Sequence, residues 1–432
     1  MVLLGMTKLN LQHEVTSHQT GRDARSGYSQ GAILVLGNYR AGLTTVRELS
    51  ALGYRVILGV EPGTYCVDFS RYVNQVWHTP KPIPGSHEYL EALQELIQRE
   101  PDLKMFMPIN ESTINTITSL ENNLIPLARI ALPSAAIVSI CHDKYNWLKF
   151  LSKTGVGCPP FRVARNLQAL DDAVSIIGTP VVIRQVESGS RFGFDKVVFV
   201  TDDMGREQVL PKWPEGVMEL IVQRQFIGER YNIYFAARSG VVLREQHSKC
   251  LRSASANGSG QTVEGITIHR IPALSSDLEV VVRSLEYTGV GNAQFLYDPN
   301  TEATCFLEIN PRFGASYALV ESIGMGLTQL AVELADDTSS TPVLKPYEDD
   351  EGTRVIGTYS DLVGLAHSIR KREIGLPGAV RWFGAACLAF LRADVHVTWS
   401  WRDPIPALTI PFYRLIRWTR HRREWLVQRF GK

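Results

Sequence analysis

Phe306-Leu307-Glu308-Ile309-Asn310-Pro311-Arg312-Phe313 is the stretch from which the remainder of the chain can be read. As a strand, it alternates: Phe306, Glu308 and Asn310 fall on one face, Leu307 and Ile309 on the other. A carboxylate and an amide oxygen then project together from one strand end, and Arg312 follows at once. Hard divalent cations take oxygen sets of this kind. Such cations bridge nucleotide phosphates, and a neighbouring arginine offsets charge on a transferring phosphoryl group. Gln294, within Asn292-Ala293-Gln294-Phe295, lies fourteen residues upstream. If both strands form a hairpin over Asp298-Pro299-Asn300-Thr301, Gln294 sits opposite Glu308 and adds a third oxygen. An ordinary hairpin with one polar face has the same alternation.

Outward from this hairpin the chain divides by rhythm. Residues 1–30 are polar and without period, the pattern of a mobile tail. Ala32 to Gly37 is a short apolar run closed by glycine, a buried parallel strand. Helical spacing over 42–53, a strand from Arg55 to Val60, a helix at 87–98 and a strand from Lys104 to Pro108 follow. That alternation predicts a doubly wound α/β domain over 31–140. The loop Gly37 to Gly42 lacks the middle glycine of a dinucleotide fingerprint and reads as a tight strand-to-helix turn. Asn110, Glu111 and Ser112 stand at a strand end, where open α/β sheets take ligands, or else they cap a helix. From 141 to 335 the pattern becomes α+β: helices at 143–154 and 167–177, strand pairs at 180–186 with 195–201 and 218–226 with 231–238, then a strand at 241–247. A helix at 276–287 precedes the hairpin. Residues 336–432 form an extension that turns basic and aromatic.

The Glu308-Ile309-Asn310-Pro311-Arg312 stretch with Gln294 upstream resembles the metal-binding strand pair of the ATP-grasp superfamily. Its spacing is most like that of the carbamoyl-phosphate synthetase and biotin carboxylase branch. Asp143-Lys144-Tyr145, leading into Gly155-Val156-Gly157-Cys158-Pro159, resembles that family's opening helix and turn. Gly178-Thr179-Pro180-Val181-Val182-Ile183-Arg184 resembles its phosphate-contacting strand, with arginine in place of the usual lysine. Glu187 to Gly193 resembles its glycine-bearing loop, and Glu219 to Arg230 its adenine-binding hinge. The usual hinge acid is Arg224 here, which makes Glu229 the candidate for ribose. The resemblance spans Ile33 to Glu333. It implies a pre-ATP-grasp domain followed by a two-part ATP-grasp domain. It further implies Mg2+ (or Mn2+) on Gln294, Glu308 and Asn310. ATP falls to Lys144, Arg184, Gly189, Ser190, Gln223, Gln225 and Glu229, and Arg312 and Arg252 become the catalytic arginines. The implied activity is an ATP-dependent carboxylate-amine ligase working through an acyl phosphate. The competing readings are a non-catalytic nucleotide-binding protein that kept the fold, and a carboxylase using bicarbonate, for which no biotin-carrier Met-Lys-Met segment is present.

The 432 residues are 44% hydrophobic and 21% charged, ordinary for a soluble globular protein of several domains. A net charge of +1 gives no reason to expect a nucleic-acid partner. It is unevenly spread, however: Arg370 to Lys432 holds thirteen Lys and Arg against four Asp and Glu, a net of +9. The six cysteines (Cys66, Cys141, Cys158, Cys250, Cys305 and Cys387) share no zinc-ligand spacing and read as reduced cytosolic thiols. The N-terminus carries no signal-like apolar run, and no stretch is apolar enough to span a bilayer. Residues 411–430 combine Trp418, Trp425 and Phe430 with six arginines. That pattern suits a basic amphipathic helix on an anionic membrane or a helix packed on another subunit. The expected partners are therefore a small carboxylate and an amine, with peripheral membrane contact and a homodimer as further options. The expected location is the cytoplasm, including the inner membrane face.

Overall fold

The computed structural model describes residues 29–412, apart from 62, 65, 126, 187–196, 203, 206, 208–218, 259 and 337–345. The candidate loop residues Gly189 and Ser190 and the tail beyond Phe412 lie outside the described residues.

The first sheet is wholly parallel, in the order β3-β2-β1-β4-β5. Its strands are β1 (Ala32–Leu36), β2 (Arg55–Val60), β3 (Gln75–His78), β4 (Leu103–Pro108) and β5 (Arg129–Ile130). Helices α1 (Arg40–Ala51), α2 (His87–Arg99), α3 (Glu111–Ser119), α4 (Glu121–Leu124) and α5 (Ala135–His142) accompany it. Every residue of β1 and β2 is buried, as a parallel sheet covered on both faces requires. The strand order reverses between β1 and β4. The crevice there is bounded by the loop after Leu36 and by Asn110. Asn110, rather than Ser112, caps α3: its side chain accepts from the Thr113 N–H at 2.9 Å.

The second sheet is antiparallel, in the order β6-β9-β7-β8. It comprises β6 (Phe161–Ala164), β7 (Val181–Gln185), β8 (Val198–Val200) and β9 (Leu220–Arg224), with α6 (Lys144–Thr154) before it and α7 (Leu167–Ile177) across one face. Asp143 caps α6 on the Asn146 N–H, and Gly155 ends it in the left-handed region at φ 78°. At Gly157 any side chain would strike the Thr304 backbone. The glycine lets this turn lie directly on the central hairpin, where the Gly157 carbonyl accepts from the Phe306 N–H at 3.0 Å.

The third sheet runs β14-β13-β10-β11-β12-β15-β16. Its members are β10 (Glu229–Arg238), β11 (Val241–Ser253), β12 (Thr262–Ile268), β13 (Gly289–Asp298), β14 (Ala303–Asn310), β15 (Arg354–Ile356) and β16 (Val395–His396). Helices α8 (Pro272–Ser284), α9 (Ala318–Ser322), α10 (Leu327–Ala335), α11 (Thr358–Arg370) and α12 (Leu376–Arg392) surround it. One face buries Tyr231, Ile233, Phe295, Phe306 and Ile309 under α6 and α8, with Trp147 edge-on to Phe306 at 5.2 Å. The boundary expected at 335 is not a break in the architecture. Strands β15 and β16 come from the extension yet continue this sheet, β15 pairing with β12 at Glu264–Ile266. The first domain's core likewise continues into α10 and Tyr317.

Candidate active site

Hairpin β13–β14 has the register its turn demands: Gln294 lies opposite Glu308, and Asn292 opposite Asn310. Phe306 departs from the expected alternation. The register shifts at Leu307, so Phe295 faces Phe306 although Gln294 faces Glu308. This β-bulge inserts one residue and turns Phe306 into the aromatic core, away from Glu308. Glu308, Gln294 and Asn310 therefore leave the core on the opposite face, with Asn232 and Tyr234 of β10 in line. The Asn310 amide donates to Glu308 Oε1 at 3.0 Å, and Arg312 Nη2 donates to Asn310 Oδ1 at 3.3 Å. The buried Asn292 Nδ2 has no partner among the described residues.

Arg184 approaches Glu308 from the second sheet. Alternation puts it with Ile221 and Gln223 on the face turned away from α7. Its Nη2 donates to Gln223 Oε1 at 3.0 Å, while its buried Nε has no partner among the described residues. Burial pulls this guanidinium below its ordinary value, against the opposing pull of the Glu308 carboxylate. A buried cation that faces one carboxylate across a gap, with donors unspent, suits an incoming anion. Gln225, just past β9, keeps its backbone N–H on the Pro180 carbonyl at 3.0 Å. Lys144 opens α6, its backbone N–H bonded to the Val186 carbonyl at 3.2 Å just past β7.

Three expectations change. Glu229 is not positioned for ribose on the Glu308 side. It shares the opposite sheet face with Tyr231, accepts from that tyrosine at 2.8 Å and pairs with Lys249 at 2.7 Å. The hydrogen bond from Lys249 is the main reason its carboxyl stays below the usual range. Arg224 sits on the outer face of its sheet and donates to the Thr179 and Ile177 carbonyls, closing the end of α7. A cation at that position meets the carbonyls at the C-terminal end of the helix favourably. Arg252 is the penultimate residue of its strand, directly before the loop that opens at Ala254, but its fork is spent. It binds Glu264 at 2.6 Å and both oxygens of the fully buried Asp361, at 2.5 and 3.1 Å. Burial would lower its pKa, but these two carboxylates raise it.

The structure also adds residues that motif spacing passed over. His142 ends α5, bonded to Asn115 at 2.7 Å. Burial holds its ring below the ordinary value, with Glu111, Arg312 and Glu308 near enough to act on it. Tyr39 and Arg40 occupy the loop after β1. The Tyr39 hydroxyl accepts from Arg40 at 2.8 Å and from Gln261 at 2.9 Å. Burial opposes ionisation of this phenol, but Arg40, Gln261 and Arg312 outweigh it and hold the phenol below its ordinary value. Glu61 and Asn110 close the crevice from the neighbouring strand ends, 3.0 Å apart. For Tyr39, Arg40, Glu61 and Asn110 the sequence carries a signal, because they follow strands β1, β2 and β4, where an open parallel sheet takes ligands, and Asn110 is a candidate there from the sequence; His142, at the end of α5, has no such signal.

The model of the "Carbamoyl-phosphate synthase L chain, ATP binding domain" matches residues 260–340, which include Gln294, Glu308, Asn310 and Arg312. The carbamoyl phosphate synthase large chain of Halomonas eurihalina is 22% identical over 327 residues, covering 68% of this chain and 28% of that one. This chain thus spans under a third of that relative's length. Biotin carboxylase of Campylobacter jejuni superposes with a TM-score of 0.59 at 15% identity, over 75% of this chain and 74% of that one. An L-amino acid ligase of Bacillus licheniformis gives 0.55 at 16%, over 71% and 74%. The chain has the ATP-grasp fold. Arg184 of the second sheet and Glu308 of the third are near enough for the carboxylate to act on the guanidinium. Among the described residues no helix is long and apolar enough to cross a membrane.

Proposed function

We propose that the chain is an ATP- and magnesium-dependent ligase that activates a carboxylate as an acyl phosphate for attack by an amine. The observation that carries this reading is the cross-strand set Gln294, Glu308 and Asn310, with Arg312 beside it and Arg184 opposite. A hard cation suits these oxygens. The unpartnered Arg184 Nε fits nucleotide phosphates. ATP with magnesium, when bound, would supply the phosphoryl group and bring the charge these side chains are set to meet. Glu308, Asn310 and Gln294 would hold the cation. Arg184 would neutralise phosphate oxygens from the second sheet, and Arg312 would steady charge developing on the substrate side. The chain's work is positioning and electrostatics, and no side-chain nucleophile is needed. Arg252, saturated by Glu264 and Asp361, has a supporting role in this account. The substrate would lie against the crevice of Tyr39, Glu61, Asn110 and His142. The L-amino acid ligase and biotin carboxylase names are consistent with a carboxylate and nitrogen chemistry, without naming either substrate.

The test is phosphate release from ATP with and without magnesium, against pooled carboxylates and amines, on wild type and Glu308→Gln. Carboxylate-stimulated release is expected. It should fall by about 10³-fold or more in the variant, since metal-assisted charge stabilisation contributes several kcal/mol. Full turnover by Glu308→Gln would overturn the metal assignment. ATP binding without any turnover would favour a nucleotide-binding protein that keeps the fold.

A further inference from the structure

Helix α12 leaves an apolar stripe uncovered. Leu376, Val380, Phe383, Cys387, Phe390 and Leu391 recur at i, i+4, i+7, i+11, i+14 and i+15, one face of the helix, and all six are exposed. Leu376 and Leu391, at its two ends, are each 80% exposed. The other face is anchored: Ala386 and Ala389 are buried, and Trp382 Nε1 donates to Asp361 at 2.7 Å. The stripe is therefore the outer side of a fixed helix. Beyond it Trp401 is 87% exposed, and the helical segment 405–412 turns Ile405, Leu408 and Phe412 outward at i, i+3 and i+7. A single exposed leucine needs no explanation, but a run of this extent does.

The charges beside it have one sign. No Asp or Glu occurs from Gly375 to Ala393. Arg381 and Arg392 occupy the arc between the stripe and the buried face, Arg402 follows next to Trp401, and all three are exposed. None of them pairs with a carboxylate among the described residues. The described chain ends at Phe412, and the sequence past it adds seven Lys and Arg against one Glu. We infer that the α12 stripe docks on an anionic lipid surface, with Phe383, Phe390 and Leu391 at the acyl boundary and Arg381 and Arg392 among the headgroups. Basic residues near such a surface each add attraction. A second copy of the chain fits less well. A two-fold contact through this stripe would bring the arginines of both copies together with no carboxylate between Gly375 and Ala393 of either copy to receive them.

The test is flotation of the full chain with vesicles of phosphatidylcholine and phosphatidylglycerol at three to one, against phosphatidylcholine alone. Wild type is expected to float with the anionic vesicles and to release at high salt. Phe383→Ser with Leu391→Ser, and separately Arg381→Glu with Arg392→Glu, should each weaken binding about tenfold or more, because both apolar area and charge carry it. The changed side chains are exposed, so unaltered thermal midpoints verify folding. An environment-sensitive fluorophore on Cys387 should shift to the blue on anionic vesicles. Wild-type binding by the Phe383→Ser and Leu391→Ser protein would overturn the proposal and leave residues 413–432 as the anchor. So would the absence of vesicle binding together with a dimer, in sedimentation, that the same double variant abolishes.

Discussion

Two arginines, Arg184 and Arg252, are both drawn into the ATP-grasp body, and their surroundings differ. Arg252 meets Glu264 and Asp361 with all of its fork engaged. Arg184 has one bond to a neutral amide, a buried Nε without a partner, and Glu308 across a gap. A buried charge that is fully paired is part of the fold's own accounting. A buried charge left short of anions is maintained because something else delivers them. Both carry the same +1 charge, and from the sequence Arg184 is a candidate for ATP and Arg252 for catalysis. What separates them is the presence of carboxylates on neighbouring strands and helices.

The same substitution at both positions tests this contrast. Arg252→Met should cause the larger loss of stability. It leaves Asp361, fully buried, with only the Trp382 indole as donor, and removing one member of a buried pair costs roughly 3–5 kcal/mol. Urea or thermal unfolding should show the drop, with α11 and α12 loosening together because Asp361 joins them. If Arg252→Met unfolds as wild type does but fails to bind ATP, the two arginines have the same role and the contrast is broken.

A buried carboxylate without a cation gives the next effect. Glu321 in α9 accepts from the Thr328 N–H and hydroxyl at 2.7 Å each, and burial pushes its carboxyl up to about 7 from an ordinary 4.5. The folded state thus binds its proton more tightly than the unfolded state. The stabilisation is full below the unfolded value near 4.5 and is lost as pH rises through about 7. A shift of that size corresponds to roughly 3 kcal/mol between pH 4.5 and pH 8. Glu321→Gln keeps the acceptor oxygen and should flatten the stability profile over that window. Equal pH profiles for variant and wild type would mean that Glu321 is ionised without cost.

How much of this was legible follows from which rules are local. The Gln294–Glu308 register could be read because one turn and a two-residue period fix it over a few positions. The bulge at Leu307 could not, since no residue there marks an inserted position, and so Phe306 was assigned to the wrong face. Glu229 followed from analogy with a hinge acid, but strand alternation from Asn232 would have put it on the far face. Strand β11 runs to Ser253 through Lys249 and Arg252 because their charges are met across strands and helices, which no linear window displays. Strands β15 and β16 have three and two residues. They exist only because an edge of the third sheet is there to receive them. The strand ends of the first sheet, Asn110 among them, follow from the strand–helix rhythm, whereas His142 stands at the end of α5 and comes near Glu308 and Arg312 only through the tertiary fold.

The smallest of the expected effects is the most specific to the site. Arg184→Met removes a cation that forms no ion pair among the described residues and, of the carboxylates, has only Glu308 acting on it from a distance, and methionine fills much of the space of its aliphatic stem. Replacing buried charge by apolar volume is often neutral or stabilising, so the thermal midpoint should hold or rise. ATP affinity should fall about 10- to 100-fold, or roughly 1.4–2.8 kcal/mol, the range of a lost charge-assisted hydrogen bond to phosphate. Arg184→Lys, which keeps the charge but not the fork, should recover part of that loss. Calorimetric titration of ATP into the three proteins measures it. Unchanged affinity in Arg184→Met would remove Arg184 from the nucleotide site, and a large loss of stability would give it the structural role now assigned to Arg252.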